Sequence, residues 1–380
     1  MKRTYLDRIC FMILSAVLLL QVSVQLPAGD SQVSLEDLQT LYAAAAAPLS
    51  EEQQAFYDRT VKVLLGEDLW TARDMYDASH YLMIPMHYAF RARDEEAIAL
   101  FADFFARFTQ DITGDDRYGF QQYAFLQRLQ FLYFSSQFMC LCAASGRPDL
   151  IPDALPTVAY DCAETYLLHT EANWNTEDTV MEHLQQMLVG KQYPYSYYSL
   201  TEDLDGFDLA ILCDLNCLAR LLGERPEELT VTAGQLVYEI YTSPLFNQET
   251  ELGGWLLQVG GWADHPDFAY AGNAEITQDI QPRKRDDIPW DSSHFSRWPL
   301  YLRSYMSAQT DQTHWDLFAL RRRQLANQMV NYVLKNADGL WLATTFMDGT
   351  NGVYRYSYNT EGVGLEGYSL SGTLLLGWWS

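Results

Sequence analysis

The sequence predicts a predominantly all-α chain, and three observations carry that expectation. Apolar residues recur at helical steps through the first two thirds, as in Ile98, Phe101, Phe105 and Phe108. Helix stop signals follow such runs: Ile211, Leu215, Leu218 and Leu222 precede Gly223 and Pro226. Residues that favour strands gather only near the C-terminal end, around Asp348-Gly349-Thr350-Asn351-Gly352.

The N-terminal residues read as an export signal. A basic segment, Lys2 to Arg8, precedes an apolar run from Ile9 to Leu20 that only Ser15 interrupts. That run fits a signal-peptide core and is short for crossing roughly 30 Å of hydrocarbon. Ala28 is the cleavage candidate, which gives a signal over 1–28 and one helical domain over 32–380; an uncleaved anchor is the alternative. The basic cluster lies before the apolar run, so the rest of the chain is expected on the outer side, secreted or periplasmic. No later segment reaches the length of a membrane span.

Removing the signal takes away three cations and Asp7, and the net charge of −25 becomes −27. Such a surface repels nucleic acid phosphates and anionic headgroups, so neither is an expected partner. It also repels a polyanionic glycan unless the cleft is locally basic. Five cysteines remain: Cys140, Cys142, Cys162, Cys213 and Cys217. With no paired CxxC they read as buried thiols, and neither a metal nor a cofactor is expected.

Helices are expected at 35–47, 51–65, 68–91, 94–110, 117–144, 151–169, 177–189, 204–223, 227–242, 294–308 and 313–335. Pro85 is expected to kink or divide the third. The stretch 123–134 is apolar on nearly every side, as in a helix buried within a larger helical assembly. His80 and His87 read as core histidines on an apolar helix face. A small β-hairpin is expected from 340–346 and 353–358, turning at Asn351-Gly352. The segments 246–293 and 336–368 are longer than ordinary connections, and loops of that length are often functional. Paired helices with long loops on one rim predict an α/α toroid of helical hairpins around a central cleft. A helical solenoid is the rival, without a fixed-period repeat to support it.

Two rim segments concentrate titratable and aromatic residues. The first runs from Gly260 to Asn273 and contains Trp262, Asp264, His265, Asp267 and Tyr270. The second is Trp290-Asp291-Ser292-Ser293-His294-Phe295-Ser296-Arg297-Trp298. Asp291 or Ser292 can cap the following helix, on which His294 and Arg297 lie three apart and share a face. Together they suit a carboxylate or a sugar hydroxyl; simple salt-bridging reads equally well from sequence. Glycosidic hydrolysis needs two carboxyl groups flanking the scissile bond, and Asp264, Asp267, Asp291 and Asp348 are the candidates. Elimination from a uronate needs a neutraliser and a base instead, which His294, Arg297 and Tyr270, Tyr354 or Tyr356 offer. Asn351 and Arg355 complete the candidate binding residues beside the expected hairpin. The basic run Arg283-Lys284-Arg285 is either an attraction for an anionic chain or a solvated charge cluster. Gly-Gly-Trp recurs at Trp255 and Trp262, two helical turns apart, so both rings are expected to face one way, as sugar-stacking surfaces or as core. Asp203-Leu204-Asp205-Gly206 has calcium-loop flavour without the EF-hand order and reads as a helix cap.

The helical pairs followed by this Trp/Asp/His/Arg-rich rim resemble the α/α-toroid carbohydrate-active enzymes, the six-hairpin glycosidases and toroidal polysaccharide lyases. The resemblance covers 35–380 through overall organisation and the segments 260–273 and 290–298. It implies cofactor-free cleavage of a poly- or oligosaccharide outside the cytoplasm. In the lyases of the alginate and chondroitin type Asn, His, Tyr and Arg form the site, which Asn273, His294, Tyr270 and Arg297 are similar to in kind. The expectation is a glycan hydrolase using paired Asp carboxylates, with a lyase or a non-catalytic glycan-binding or envelope assembly protein as alternatives.

Overall fold

The computed structural model describes residues 32–42, 46, 49–174, 177–356 and 363–372. The expected export signal, most of the alanine run and the end of the expected hairpin lie outside the described residues. The described chain is predominantly helical. The helices are α1 (Leu35–Tyr42), α2 (Glu51–Phe56), α3 (Lys62–Leu65), α4 (Ala72–Ala92), α5 (Glu95–Thr113), α6 (Phe125–Ala144) and α7 (Leu155–His169). After them come α8 (Val180–Leu188), α9 (Asp203–Leu221), α10 (Glu228–Thr242), α11 (Ser292–Phe295), α12 (Trp298–Ser307) and α13 (Gln312–Gln328). Among the described residues no helix is long and apolar enough to cross a membrane.

Local chemistry sets the helix starts. Ser50 and Thr179 form capping boxes with Gln53 and Glu182, and Asp94 accepts from the Ala97 N–H. Pro85 lies inside α4, which runs unbroken from Ala72 to Ala92, so the expected division does not occur.

Two kinds of packing hold the helices together. Between α5 and α6 the contact is aromatic: the Phe105 and Phe138 rings stack at 4.5 Å and Phe108 meets Phe131 at 4.6 Å. All four are completely buried. Where α6 meets α9 and α12 it is polar. The Asp214 carboxylate accepts from Ser136 Oγ at 2.6 Å and Gln137 Nε2 at 2.7 Å, and Gln137 also donates to Ser304 at 3.0 Å. Gly206 allows α12 close to α9, since a Cβ there would lie 2.6 Å from the Tyr301 ring. The segment with calcium-loop flavour is thus a helix start built for close packing.

The same contacts set direction. Tyr76, Gln130, Asp203 and Arg297 stand at or near the N-terminal ends of α4, α6, α9 and α12, and they touch. Arg297 reaches Asp203 at 2.6 Å and the Tyr76 hydroxyl at 3.0 Å, while Gln130 donates to the Tyr76 carbonyl at 2.7 Å. About three turns further along α4, His87 meets Arg303 of α12 at 2.8 Å. These four helices therefore run the same way, with their N-terminal ends at one level, called the rim below.

Strands are few among the described residues. Strand β1 (Asn247–Glu249) pairs antiparallel with β2 (Trp255–Leu257), and β3 (Leu334–Ala337) pairs with β4 (Leu340–Ala343). The second hairpin corrects the sequence reading: its turn is Asp338-Gly339, both at positive φ (51° and 86°), not Asn351-Gly352. Strand β3 also takes residues expected to end the last helix, which passes through a π turn (Met329–Val333) and stops. Trp255 lies in a strand and Trp262 in a run of turns, so the two rings do not share a helix face.

Candidate functional site

The rim brings part of the expected set together. The segment after Gly260 turns repeatedly and ends in a short helical turn, Pro266–Phe268, capped by His265, whose Nδ1 accepts from the Asp267 N–H at 3.2 Å. That turn points Asp267 inward, where it is buried and accepts from Arg355 Nε at 2.9 Å. Arg355 sits at φ 59°, and its own N–H donates to the Asp267 carbonyl at 2.8 Å. Two bonds to one residue hold this uncommon backbone. The Arg355 side chain remains 43% exposed.

Asp291 starts α11 and is held in place by a bridge to Phe346. Its Oδ1 caps the His294 N–H at 3.0 Å, and its Oδ2 lies 2.8 Å from His294 Nδ1. Burial pushes the Asp291 carboxyl up, but the charge and hydrogen bonds of His294, with Arg355 nearby, hold it below the usual range. An ionised carboxylate can only accept, so Nδ1 carries the ring proton and Nε2 becomes the basic nitrogen. Asp291 is 1% exposed, whereas the His294 side chain is 23% exposed. The imidazole, not the carboxylate, can meet a ligand. Tyr354 packs between these groups: the Arg355 guanidinium lies 5.2 Å from its ring centre, and burial together with Asp291 keeps the phenol protonated. Asp267, Asp291, His294, Tyr354 and Arg355 thus form one cluster.

A second cluster sits at the start of α9. Glu202 accepts from Asn173 at 2.9 Å, and Asp205 accepts from the Tyr166 hydroxyl at 2.8 Å. Burial, reinforced by Asp205 and Asp203, pushes the Glu202 carboxyl well up. Asp203 is paired with Arg297, and that charge helps burial to lower neighbouring His80 to about 3, keeping its ring neutral. Glu202 carries no sequence signal of its own, and Asp203 enters the sequence reading only as the start of the segment with calcium-loop flavour. A run of acids at a helix start reads as capping.

An aromatic wall adjoins the first cluster. Trp174 packs against His265 at 5.6 Å and lies parallel to Tyr198 at 6.4 Å, with Tyr197 and the exposed Tyr195 beside them. The signal for it was Tyr193-Pro194-Tyr195-Ser196-Tyr197-Tyr198, a tyrosine-rich stretch outside both rim segments.

The remaining expected residues do other work. Asp264 is bound by Lys284 at 2.6 Å, which holds its carboxyl low, and by Ser196. Asp348 is bound by Arg285 at 2.8 Å. Neither has a described contact with the cluster, and their cations account for two members of the basic run. Arg297 is buried between Asp203 and Tyr76, so it joins helices instead of facing outward with His294. Trp255, Trp262, Trp290 and Trp298 are all core residues, the last 1% exposed; none offers a stacking face. Asn273 donates to the Tyr270 and Gln281 carbonyls, Tyr270 packs on Tyr356 at 4.6 Å, and Asn351 accepts from Thr345 and Tyr368. The resemblance-derived set therefore does not converge as a unit. All five cysteines outside the first 31 residues are buried and free, as expected.

No family model, no curated protein and no solved structure matches this chain.

Proposed function

We propose that this chain is an exported glycan-cleaving enzyme with an α/α-toroid arrangement, and that its reaction is elimination at a uronic acid. The observation that carries the reaction type is the Asp291–His294 pair, with Nδ1 and Oδ2 at 2.8 Å beside the half-exposed Arg355. A buried carboxylate fixes the imidazole and leaves Nε2 as a base, the usual logic of an Asp–His pair. Arg355 neutralises the uronate carboxylate, which acidifies the adjacent C–H. His294 takes that proton, the electron pair forms the new C=C bond, and the glycosidic oxygen leaves with the proton returned by the imidazolium. Trp174 and the neighbouring tyrosines supply faces for sugar rings. The common direction of α4, α6, α9 and α12 supports the toroid, and residues 1–28 support export.

Hydrolysis is the second reading, favoured by one observation: burial and the neighbouring acids push the Glu202 carboxyl well up, which suits it to donate a proton to a leaving oxygen. The test is digestion of uronate-containing and neutral polysaccharides by the full chain. Elimination yields an unsaturated, ultraviolet-absorbing product, and His294→Ala lowers its formation by roughly a hundredfold or more. Reducing ends without absorbance, lost in Glu202→Gln and kept in His294→Ala, would replace elimination by hydrolysis.

A further inference from the structure

At the far end of the same helices lies a group of cations with too few acids. Arg303 of α12 is 2% exposed, donates to His87 at 2.8 Å and to Gln137, and lies 5.2 Å from the Tyr42 ring centre. Arg91 stands one turn beyond His87 on α4, half-buried, and Arg322 of α13 is half-buried as well. Burial first, then the charge of Arg303, lowers Arg91, and burial followed by the charges of Arg303 and Arg91 lowers Arg322 to about 10. Among the described residues none of the three forms an ion pair, although the chain has 50 acidic residues against 25 basic ones. Asp214 stands close enough to Arg303 for that charge to oppose the burial that raises its carboxyl, but its oxygens already accept from Ser136, Gln137 and Tyr42. The Nε atoms of Arg91 and Arg303 and the Nδ1 of His87 are buried without a hydrogen-bond partner.

A buried guanidinium with an unmet donor is costly, and three close together repel one another. In so acidic a chain, counter-ions were readily available from its own side chains. We propose that Arg91, Arg303 and Arg322 form an oxyanion-binding site for a phosphate or sulfate group, entered from the side where Arg91 and Arg322 are half-exposed. Arginine forks match tetrahedral oxyanions in geometry as well as charge. The site is separate from the rim cluster: Tyr76 and Arg91 are four turns apart on α4, about 22 Å. It does not depend on the proposed elimination.

Titration calorimetry of the full chain with inorganic phosphate, inorganic sulfate and phenyl phosphate tests it. Saturable binding is expected, weakened about tenfold or more by Arg91→Met and by Arg322→Met. Tighter binding of phenyl phosphate than of the free ions assigns the site to a phosphate ester; the reverse order assigns it to the free anion. Methionine keeps the apolar stem of each arginine, so the fold is retained. Without added anion both variants should melt at or above the wild-type temperature, because a repulsion is removed. Added phosphate should then raise the wild-type melting temperature and leave theirs unchanged. No saturable binding of any of the three probes would overturn the proposal. So would binding unchanged in both variants, or both variants melting well below wild type without anion.

Discussion

The interior of the helical assembly is apolar on one side of α6 and polar on the other. Toward α5 it presents Phe131, Phe134 and Phe138 to Phe101, Phe104, Phe105 and Phe108, and these rings touch in several overlapping pairs. Toward α9 and α12 it presents Tyr133, Ser136 and Gln137 to Asp214 and Ser304. Each ring of the first side has several neighbours and no angular requirement, so a smaller apolar residue leaves a local defect. Each group of the second side needs a particular partner at a particular angle. The apolar side contributes burial; the polar side sets which helices meet and in which register.

The sharpest way to break this contrast is to remove Asp214. In Asp214→Ala the donors of Ser136, Gln137 and Tyr42 lose their acceptor and Arg303 loses a neighbouring carboxylate, a loss of roughly 3–5 kcal/mol. Phe105→Leu on the apolar side should cost only about 1–2 kcal/mol, since the aliphatic side chain still fills most of the site. Chemical denaturation of the two variants checks the order. Equal losses would mean that the seam contributes no more than ordinary packing.

A smaller effect separates the two sides by pH. Burial raises Asp214 from 3.8 to about 6, against the hydrogen bonds of Ser136 and Gln137 that lower it. The folded protein therefore binds this proton more tightly than the unfolded chain. Stability through this group grows as pH falls from above 6 toward 3.8 and is lost as pH rises through 6, by up to roughly 3 kcal/mol. Asp208 and Glu202, both pushed well up by burial, act with the same sign. Melting temperatures should rise on mild acidification more steeply in wild type than in Asp214→Asn. Parallel pH profiles would remove the ionised Asp214 from the seam. The Phe105→Leu profile should run parallel to wild type, since no titrating group is touched.

The apolar side was legible in the sequence because periodicity is a property of the chain itself. Ile98, Phe101, Phe105 and Phe108 mark the buried face of α5 whatever lies opposite. Polar partnerships are not encoded that way. Asp214 meets residues more than seventy positions away, and nothing near it in sequence separates it from a surface acid. The same reason explains the rim. Asp264, Asp267, Asp291 and Asp348 look alike beside aromatic residues, yet only Asp267 and Asp291 enter the cluster. Lys284 and Arg285 bind the other two. The cap role of Asp291 was readable because a helix start is local; its bond to the ring of His294 follows from that same turn. The misplaced hairpin has a similar origin. Asp338-Gly339 and Asn351-Gly352 are both good turn dipeptides, and the choice depended on a strand, Leu334–Ala337, whose first apolar residue continues the periodicity of the preceding helix.

The smallest expected effect tests the division of the four aspartates directly. Asp264 is about one third exposed and Lys284 about half exposed, so solvent screens their attraction despite the 2.6 Å separation. Asp264→Asn should shift stability by no more than about 1 kcal/mol, and less at high salt. On the elimination reading it should also leave glycan cleavage within about twofold of wild type, because Lys284 keeps the carboxylate from serving as acid or base. Asp291→Asn should behave differently at nearly the same size. Its amide still caps α11, so the helix start survives, but it no longer fixes Nδ1–H of His294 as an ionised carboxylate does. Turnover should fall by roughly a hundredfold or more while the free energy of unfolding changes by only about 1–2 kcal/mol. If Asp264→Asn abolishes cleavage and Asp291→Asn leaves it intact, the reacting carboxylate sits on the Lys284 side of the rim, and the cluster around His294 is a helix cap with a salt bridge beside it.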